Sequence, residues 1–243
     1  MLELVGSNQS PWTQKARWAL EACSVECVFT PYIPTLSELA LRRRLGQWRG
    51  PVHVPVLFEG KRAIAGATEI AVEASSRAHG RLGDFVAAAP WLALSDSALA
   101  EGRARVLATY LGDDEAQREQ VPSFVPDSMR GSLRFLARDA IRRVERKYAA
   151  SVTPGALVDA LDRTRAGLAD TASDYLLGSF SYADIAMATV LEVVCPIAVS
   201  HPPQGPRTTA AWTVPALIER YGDLLSWRER LVRATQPSFL QRR

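Results

Sequence analysis

Eighteen consecutive apolar residues occur nowhere in this 243-residue chain, and its first ten residues, MLELVGSNQS, carry no basic segment leading into a long apolar stretch. Neither a membrane span nor a secretory leader is expected. Cysteine is scarce as well. Cys23, Cys27 and Cys195 are odd in number and form no C-x-x-C pair, which argues against a disulfide framework and a zinc site and for a reducing, cytoplasmic setting. No metal is expected. Charge of either sign is not in excess: 29 basic and 26 acidic residues leave a net of +3, too little to specify a nucleic-acid or membrane partner. The densest basic run, Arg42 to Arg44 with Arg49 behind it, reads as a solvated helix face. Internal repeats and low-complexity tracts are absent.

What the chain does have is apolar content. At 47% hydrophobic it can bury a full core and has room for two domains of ordinary size. The first eighty residues alternate between two periods. LELV (2 to 5) is a short strand ending at Gly6, and Trp12, Ala16, Ala19, Leu20 and Cys23 then recur at helical spacing. ECVFTPY (26 to 32) reads as a second strand and SELALRRRL (37 to 45) as a polar helix. VHVPVLFEGKRAIA (52 to 65) reads as two strands joined at Glu59, Gly60 and Lys61, and ATEIAVEASSRA (67 to 78) as a helix with an apolar stripe. The order βαβαββα predicts parallel pairing of the helix-bridged strands and an antiparallel hairpin at the edge.

Beyond about residue 90 only the helical period persists, with helices expected over 90–111, 129–149, 154–170, 182–194 and 214–234. Loops 112–128 and 195–215 separate them. The chain therefore divides into an α/β domain (1–80) and an all-helical domain (81–243), joined through HGRLGDF (79 to 85).

Three local features carry chemistry or architecture. Ser10 followed by Pro11 is an N-cap and N1 pair, and a hydroxyl at a helix N-terminus can also donate to a thiolate. Pro55 inside a strand pattern calls for an edge or a cis peptide at Val54-Pro55. Ser181 and Asp184 form an S-x-x-D capping box, with Phe180 and Ile185 placed for a hydrophobic staple, which makes Asp184 structural. His53, beside Val54, reads as an exposed loop histidine that could also touch a carboxylate or a proton in transfer. Cys23 and Cys27 read as packing residues, and Lys15 and Arg17 as domain-interface or surface residues.

In this order and at these separations, SPWTQKARWAL (10 to 20), VPVL (54 to 57) and LLGSFSYADIAMA (176 to 188) resemble the cytosolic glutathione transferase family over the whole chain. The resemblance implies a thioredoxin-like N-terminal domain that holds glutathione and an all-α C-terminal bundle that shapes an acceptor pocket. It implies that Ser10, or failing it Ser7, contacts the glutathione sulfur and that the Val54 backbone binds the cysteinyl portion. Trp12, His53, Pro55, Gly66, Ala67, Thr68 and Glu69 complete the expected glutathione site. Tyr110, Phe124, Met129 and Trp212 are the expected pocket walls, together with Trp91, although aromatic residues at helical spacing are commonly core. The implied chemistry is thiolate attack on, or isomerisation of, a small apolar electrophile or metabolite, by a homodimer. One departure from the family pattern stands out: Gly66 and Ala67 replace an acidic or amide residue followed by serine. That departure supports an alternative, a glutathione-independent binding module or metabolite-tailoring enzyme on the same fold.

Overall fold

The computed structural model describes residues 1–34, 37–121, 125–197 and 205–240. The chain begins with β1 (Leu2–Gly6), α1 (Pro11–Ala22), β2 (Val28–Pro31), α2 (Glu38–Leu45), β3 (Val56–Glu59), β4 (Arg62–Ala65) and α3 (Ala67–Arg77). The four strands form one sheet in the order β2-β1-β3-β4. β1 runs parallel to β2, with Leu4 opposite Phe29, and antiparallel to β3, with Leu4 opposite Leu57; β4 closes the hairpin antiparallel to β3.

Side-chain alternation explains how the sheet is covered. Leu2, Leu4 and Leu57 point to the face on which Ala16, Leu20, Ile70 and Ala74 of α1 and α3 are buried. Val5, Val56 and Phe58 point the other way, where Leu41 and Val52 join them in a smaller cluster. Only one of the two helix-bridged strand pairs is parallel. β3 enters on the far side of β1 and runs against it. Leu41 is the one buried residue of α2, so this helix rests on the smaller cluster and does not act as a crossover between neighbouring strands.

The remainder is helical: α4 (Phe85–Gly112), α5 (Asp114–Glu119), α6 (Asp127–Tyr148), α7 (Ala156–Thr171), α8 (Tyr182–Val190), α9 (Pro206–Trp212), α10 (Pro215–Arg220) and α11 (Gly222–Thr235), with 3-10 turns at Ala149–Ser151, Leu191–Val193 and Ser238–Leu240. Several boundaries differ from expectation, each for a local reason. α4 starts five residues before Pro90, because the Asp84 carboxylate accepts the Val86 N–H at 2.7 Å and caps the helix there. Pro90 then lies inside the helix, where its missing N–H forfeits one backbone bond. Within the expected loop 112–128, Asp113 caps α5 by accepting the amides of Glu115 and Ala116. Within the expected loop 195–215, the Glu119 carboxylate reaches across to the amides of Arg207 and Thr208 and starts α9. The expected helix 214–234 is two helices, parted at Tyr221, whose ring is buried and whose hydroxyl donates to Asp162 at 2.7 Å.

α8 is the axis of this part, with every residue from Tyr182 to Val190 buried. Its capping box is formed as expected: the Asp184 carboxylate accepts the Ser181 N–H at 2.8 Å, the Ser181 hydroxyl at 2.9 Å and the Leu176 N–H at 2.8 Å. Burial pushes the Asp184 pKa up, and these three donors oppose the shift. α4 crosses α8 and the Leu191–Val193 turn at Gly102, where a Cβ would come within 2.4 Å of the Val193 side chain. The core is continuous from the sheet to the bundle: Ala16, Leu20 and Ile70 belong to the same buried cluster as Ala98, Ile185 and Leu191. Trp18 on α1 donates to Thr235 at the end of α11 at 2.9 Å, and the Tyr182 amide donates to the Leu82 carbonyl at 2.9 Å.

Candidate active site

The end of β1 turns directly onto α1 because residue 6 is glycine; a Cβ there would stand 2.4 Å from the Thr13 methyl. Ser10 occupies the N-cap of α1 in extended conformation (φ −86, ψ 119) with Pro11 at N1, and its N–H donates to the Ser7 carbonyl at 3.1 Å. The backbone part of the expected cap is therefore present. The side-chain part is not: the Ser10 hydroxyl makes no bond to the helix amides. Half-buried at the positive end of a twelve-residue helix, it is left for another acceptor.

The 53–55 segment forms a second element of the site. The Val54-Pro55 peptide is cis, as expected, and the β3 ladder begins just beyond it at Val56. Pro55 is buried, Val54 half-buried and His53 exposed. The Pro55 carbonyl accepts the Gly66 N–H at 3.0 Å, which ties this loop to the start of α3.

At that start, Gly66 has φ +106, a conformation that L side chains rarely adopt. A Cβ at this position would stand 2.0 Å from Glu69 Oε2. The Glu69 carboxylate thus folds back over the α3 N-terminus and fills the space in which a side chain at 66 would lie. Ala67 is buried and Thr68 half-buried, with the first-turn amides of α3 beside them.

The helical part supplies a wall that sequence reasoning did not assemble. Asp96 on α4 accepts the Trp12 Nε1–H at 2.9 Å and Lys15 Nζ at 2.6 Å. Lys15 is 1% exposed, so its role is interfacial, and burial draws its pKa down against the opposing pull of Asp96. Two turns along α4, the Arg103 guanidinium packs on the Trp12 ring at 4.6 Å and on the Tyr148 ring at 3.7 Å. Tyr148 Oη lies 3.3 Å from His53 Nδ1, and Lys147 Nζ donates to the Val52 carbonyl at 2.7 Å. Partial burial, and then the positive charges of Lys147 and Arg103, hold the His53 pKa below its ordinary value. Trp12, Arg103, Tyr148 and His53 therefore make a continuous bridge from the first turn of α1 to the cis-proline loop. Asp96 and Arg103 are seven residues apart and so share one face of α4. That spacing was visible in the sequence; what that face would meet was not.

The expected pocket walls need restating. Trp212 donates to the Tyr110 hydroxyl at 2.7 Å and both residues are buried, so this pair is spent on the helical core, and burial pushes the Tyr110 pKa up. Met129 is exposed on α6. Phe124 lies outside the described residues. The arginine run is not simply solvated: Arg42 bonds Glu38 and the Gly50 carbonyl, Arg44 bonds Glu3 and packs on Phe58 at 3.8 Å, and Arg43 alone of the three has no such tie among the described residues. Arg17 packs on Phe29 and Phe239. Among the described residues, no group of three His, Cys, Asp or Glu side chains could hold a metal ion, and no helix is long and apolar enough to cross a membrane.

A β2-β1-β3-β4 sheet with a cis-proline before β3, followed by helices around a buried, box-capped α8, has the fold of the glutathione S-transferases. Solved structures of that class align with nearly the entire chain. Glutathione S-transferase I from Mais, in complex with an atrazine glutathione conjugate, is 17% identical with a TM-score of 0.59, covering 98% of this chain and 96% of its own. A glutathione S-transferase from Methylobacillus flagellatus with glutathione bound is 16% identical with a TM-score of 0.55, covering 96% and 95%. A maleylacetoacetate isomerase from Anaeromyxobacter dehalogenans, with glutathione in its active site, is 14% identical with a TM-score of 0.50, covering 96% and 90%. No protein-family model and no curated protein matches the chain.

Proposed function

We propose that this protein is a glutathione transferase-like enzyme in which residues 1–80 hold glutathione and residues 81–243 supply the acceptor wall. Ser10 donates its hydroxyl to the glutathione sulfur and stabilises the thiolate, which attacks or isomerises a small electrophile held in the cleft. Val54 offers its backbone to the cysteinyl portion, and the α3 amides at Ala67 and Thr68 receive the γ-glutamyl carboxylate. A cytoplasmic homodimer belongs to the same reading. The observation that carries it is the Ser10 hydroxyl, which sits at the N-terminus of α1 and takes no part in capping it.

The test is calorimetric titration of glutathione into the wild-type protein and Ser10→Ala, with thiolate absorbance and turnover followed in both. Ser10→Ala is expected to lose the thiolate signal and about 10²-fold in kcat/KM. Its melting temperature should change little, because no cap bond is removed, whereas loss of a capping serine typically costs about 1 kcal/mol. Absence of glutathione binding to the wild type at saturating concentration would sink the reading.

Gly66, Ala67 and the folded-back Glu69 favour one alternative, a glutathione-independent protein on this fold. The missing polar side chains would remove roughly 2 to 4 kcal/mol from binding of a γ-glutamyl group. The Glu69 carboxylate already stands over the helix end that such a group needs. Glu69→Gln separates the two readings: tighter glutathione binding is expected if the transferase reading holds, and no binding in either form if the alternative does.

A further inference from the structure

Of the cations Lys15, Arg103 and Lys147, Arg103 is the one with no hydrogen-bonded partner among the described residues; the Asp96 carboxylate attracts it only from beyond ion-pair distance. Lys15 has Asp96, and Lys147 has the Val52 carbonyl. Among the described residues, Arg103 makes no hydrogen bond and no ion pair; its contacts are the rings of Trp12 and Tyr148. It is half-buried, so its guanidinium gives up hydration, and it stays charged because a guanidinium does not lose its proton at physiological pH. Ring stacking holds the flat group in place while its N–H donors stay available. That combination, a positioned fork with unspent donors, matches a carboxylate bidentately.

The surroundings support this ligand. A cavity of about 50 Å³ opens at Arg103 between α4 and the end of α6, lined by Ala100, Ala104, Leu107, Glu145, Tyr148 and Val152, and Glu145 makes no pair with Arg103. Its volume is about that of one or two waters, room for the carboxylate end of a molecule and not for the rest. The positive charges at His53's side of the cleft, Arg103 and Lys147, favour an anion, and the apolar lining turns away a strongly hydrated one.

We propose that Arg103 is the specificity-determining residue of this cleft and that the acceptor it selects carries a carboxylate. The inference rests on the transferase reading and names its substrate class: an acidic electrophile in place of a wholly apolar one. A second source of a carboxylate exists, the glycine end of glutathione. Arg103 lies on α4, in the half of the chain assigned to the acceptor, while its neighbours Trp12 and, through Tyr148, His53 belong to the expected glutathione site, so the experiment separates the two sources.

The experiment uses the full chain, wild type, Arg103→Met and Arg103→Lys, with circular dichroism to establish folding. Calorimetry first compares 3,5-dinitrobenzoate with neutral 1,3-dinitrobenzene in the absence of glutathione. The wild type is expected to bind the carboxylate about tenfold or more tightly than the neutral ring, Arg103→Met to lose that preference, and Arg103→Lys to keep part of it. Equal affinities in the wild type, or a preference that survives Arg103→Met, overturn the proposal. Turnover is then measured with glutathione and 4-chloro-3,5-dinitrobenzoate against 1-chloro-2,4-dinitrobenzene. In each, the glutathione sulfur forms a C–S bond at the chlorinated ring carbon, chloride leaves with the bonding pair, and the thiol proton goes to solvent. The ratio of the two kcat/KM values should fall about tenfold or more in Arg103→Met. Should Arg103→Met weaken glutathione itself while leaving dinitrobenzoate binding intact, the carboxylate it serves is that of glutathione and the proposal fails. Loss of glutathione binding in the wild type with dinitrobenzoate binding retained overturns the transferase reading and leaves the Arg103 carboxylate site standing.

Discussion

A serine at a helix N-cap usually spends its hydroxyl on the helix; Ser10 does not, and this single unspent group separates a cap from a candidate thiolate donor. Cys23 shows the reverse case, a reactive side chain that the fold silences. It is buried just past the C-terminal end of α1, and burial pushes its thiol up to about 11. Cys27 is raised by the same cause. A thiol protonated at pH 8 is a poor nucleophile. Iodoacetamide at that pH is therefore expected to leave Cys23 unmodified in the folded protein and to label it fully in denaturant, as read by peptide mass spectrometry. Labelling of the folded protein at the rate of a free thiol would contradict that burial. Gly66 makes a third residue-level point: its positive φ is one that an L side chain rarely adopts, and the Glu69 carboxylate lies in the space beside it.

At the scale of elements, adjacent caps were legible at α1 and α8 but missed at α4 and α5, whose caps Asp84 and Asp113 are just as close, and ties from distant residues were not legible at all. Ser10-Pro11 and Ser181-Asp184 marked α1 and α8 correctly because the capping atoms sit within three residues of the amides they satisfy or flank. α9 falls within an expected loop although Gly205 and Pro206 mark its N-cap and N1 locally; the Glu119 carboxylate that also holds its first amides is 88 residues away from Arg207. The short α2 is anchored in a similar long-range way, by Arg44 to Glu3 at 2.8 Å, with Thr30 donating to the same carboxylate at 2.7 Å. The Arg44 guanidinium, and then Thr30, hold the Glu3 pKa below its usual 4.5. A carboxylate depressed in the folded state contributes stability above its unfolded pKa and loses it as pH falls through the folded one. Glu3→Gln is thus expected to lower the thermal midpoint slightly at pH 7, by the equivalent of about 0.5 kcal/mol for so exposed a pair, with the difference closing as the pH drops below the carboxylate range. A difference that persists undiminished in acid would show that the side chain acts through packing instead of charge.

At the scale of the whole molecule, one ion pair of unequal surroundings joins the sheet to the bundle among the described residues, beside the shared core. Lys15 is 1% exposed and Asp96 50% exposed. Removing the lysine leaves a carboxylate that water can reach, whereas removing the carboxylate charge strands a buried ammonium. Lys15→Met is accordingly expected to be near neutral in stability, and Asp96→Asn to cost about 3 kcal/mol, measured by denaturant unfolding. Equal losses in both would mean that the pair's hydrogen bonds matter more than the desolvation of Lys15.

The sequence by itself determined the order of strands and helices in the first eighty residues, a special position or bond geometry at Pro55, the box at α8 and the place of Ser10, because each rests on periodicity or on groups a few residues apart. It did not determine the direction of β3 beside β1, the helices α5 and α9, or the burial of Tyr110 and Trp212 as a bonded pair. Only the tertiary structure brought Arg103 and Tyr148 against Trp12 and His53. Such contacts join residues from about fifty to about a hundred positions apart, and nothing in a local pattern ranks one distant partner above another. Packing decides that, by which faces of α1, α4 and α6 are left to meet once their apolar stripes are buried.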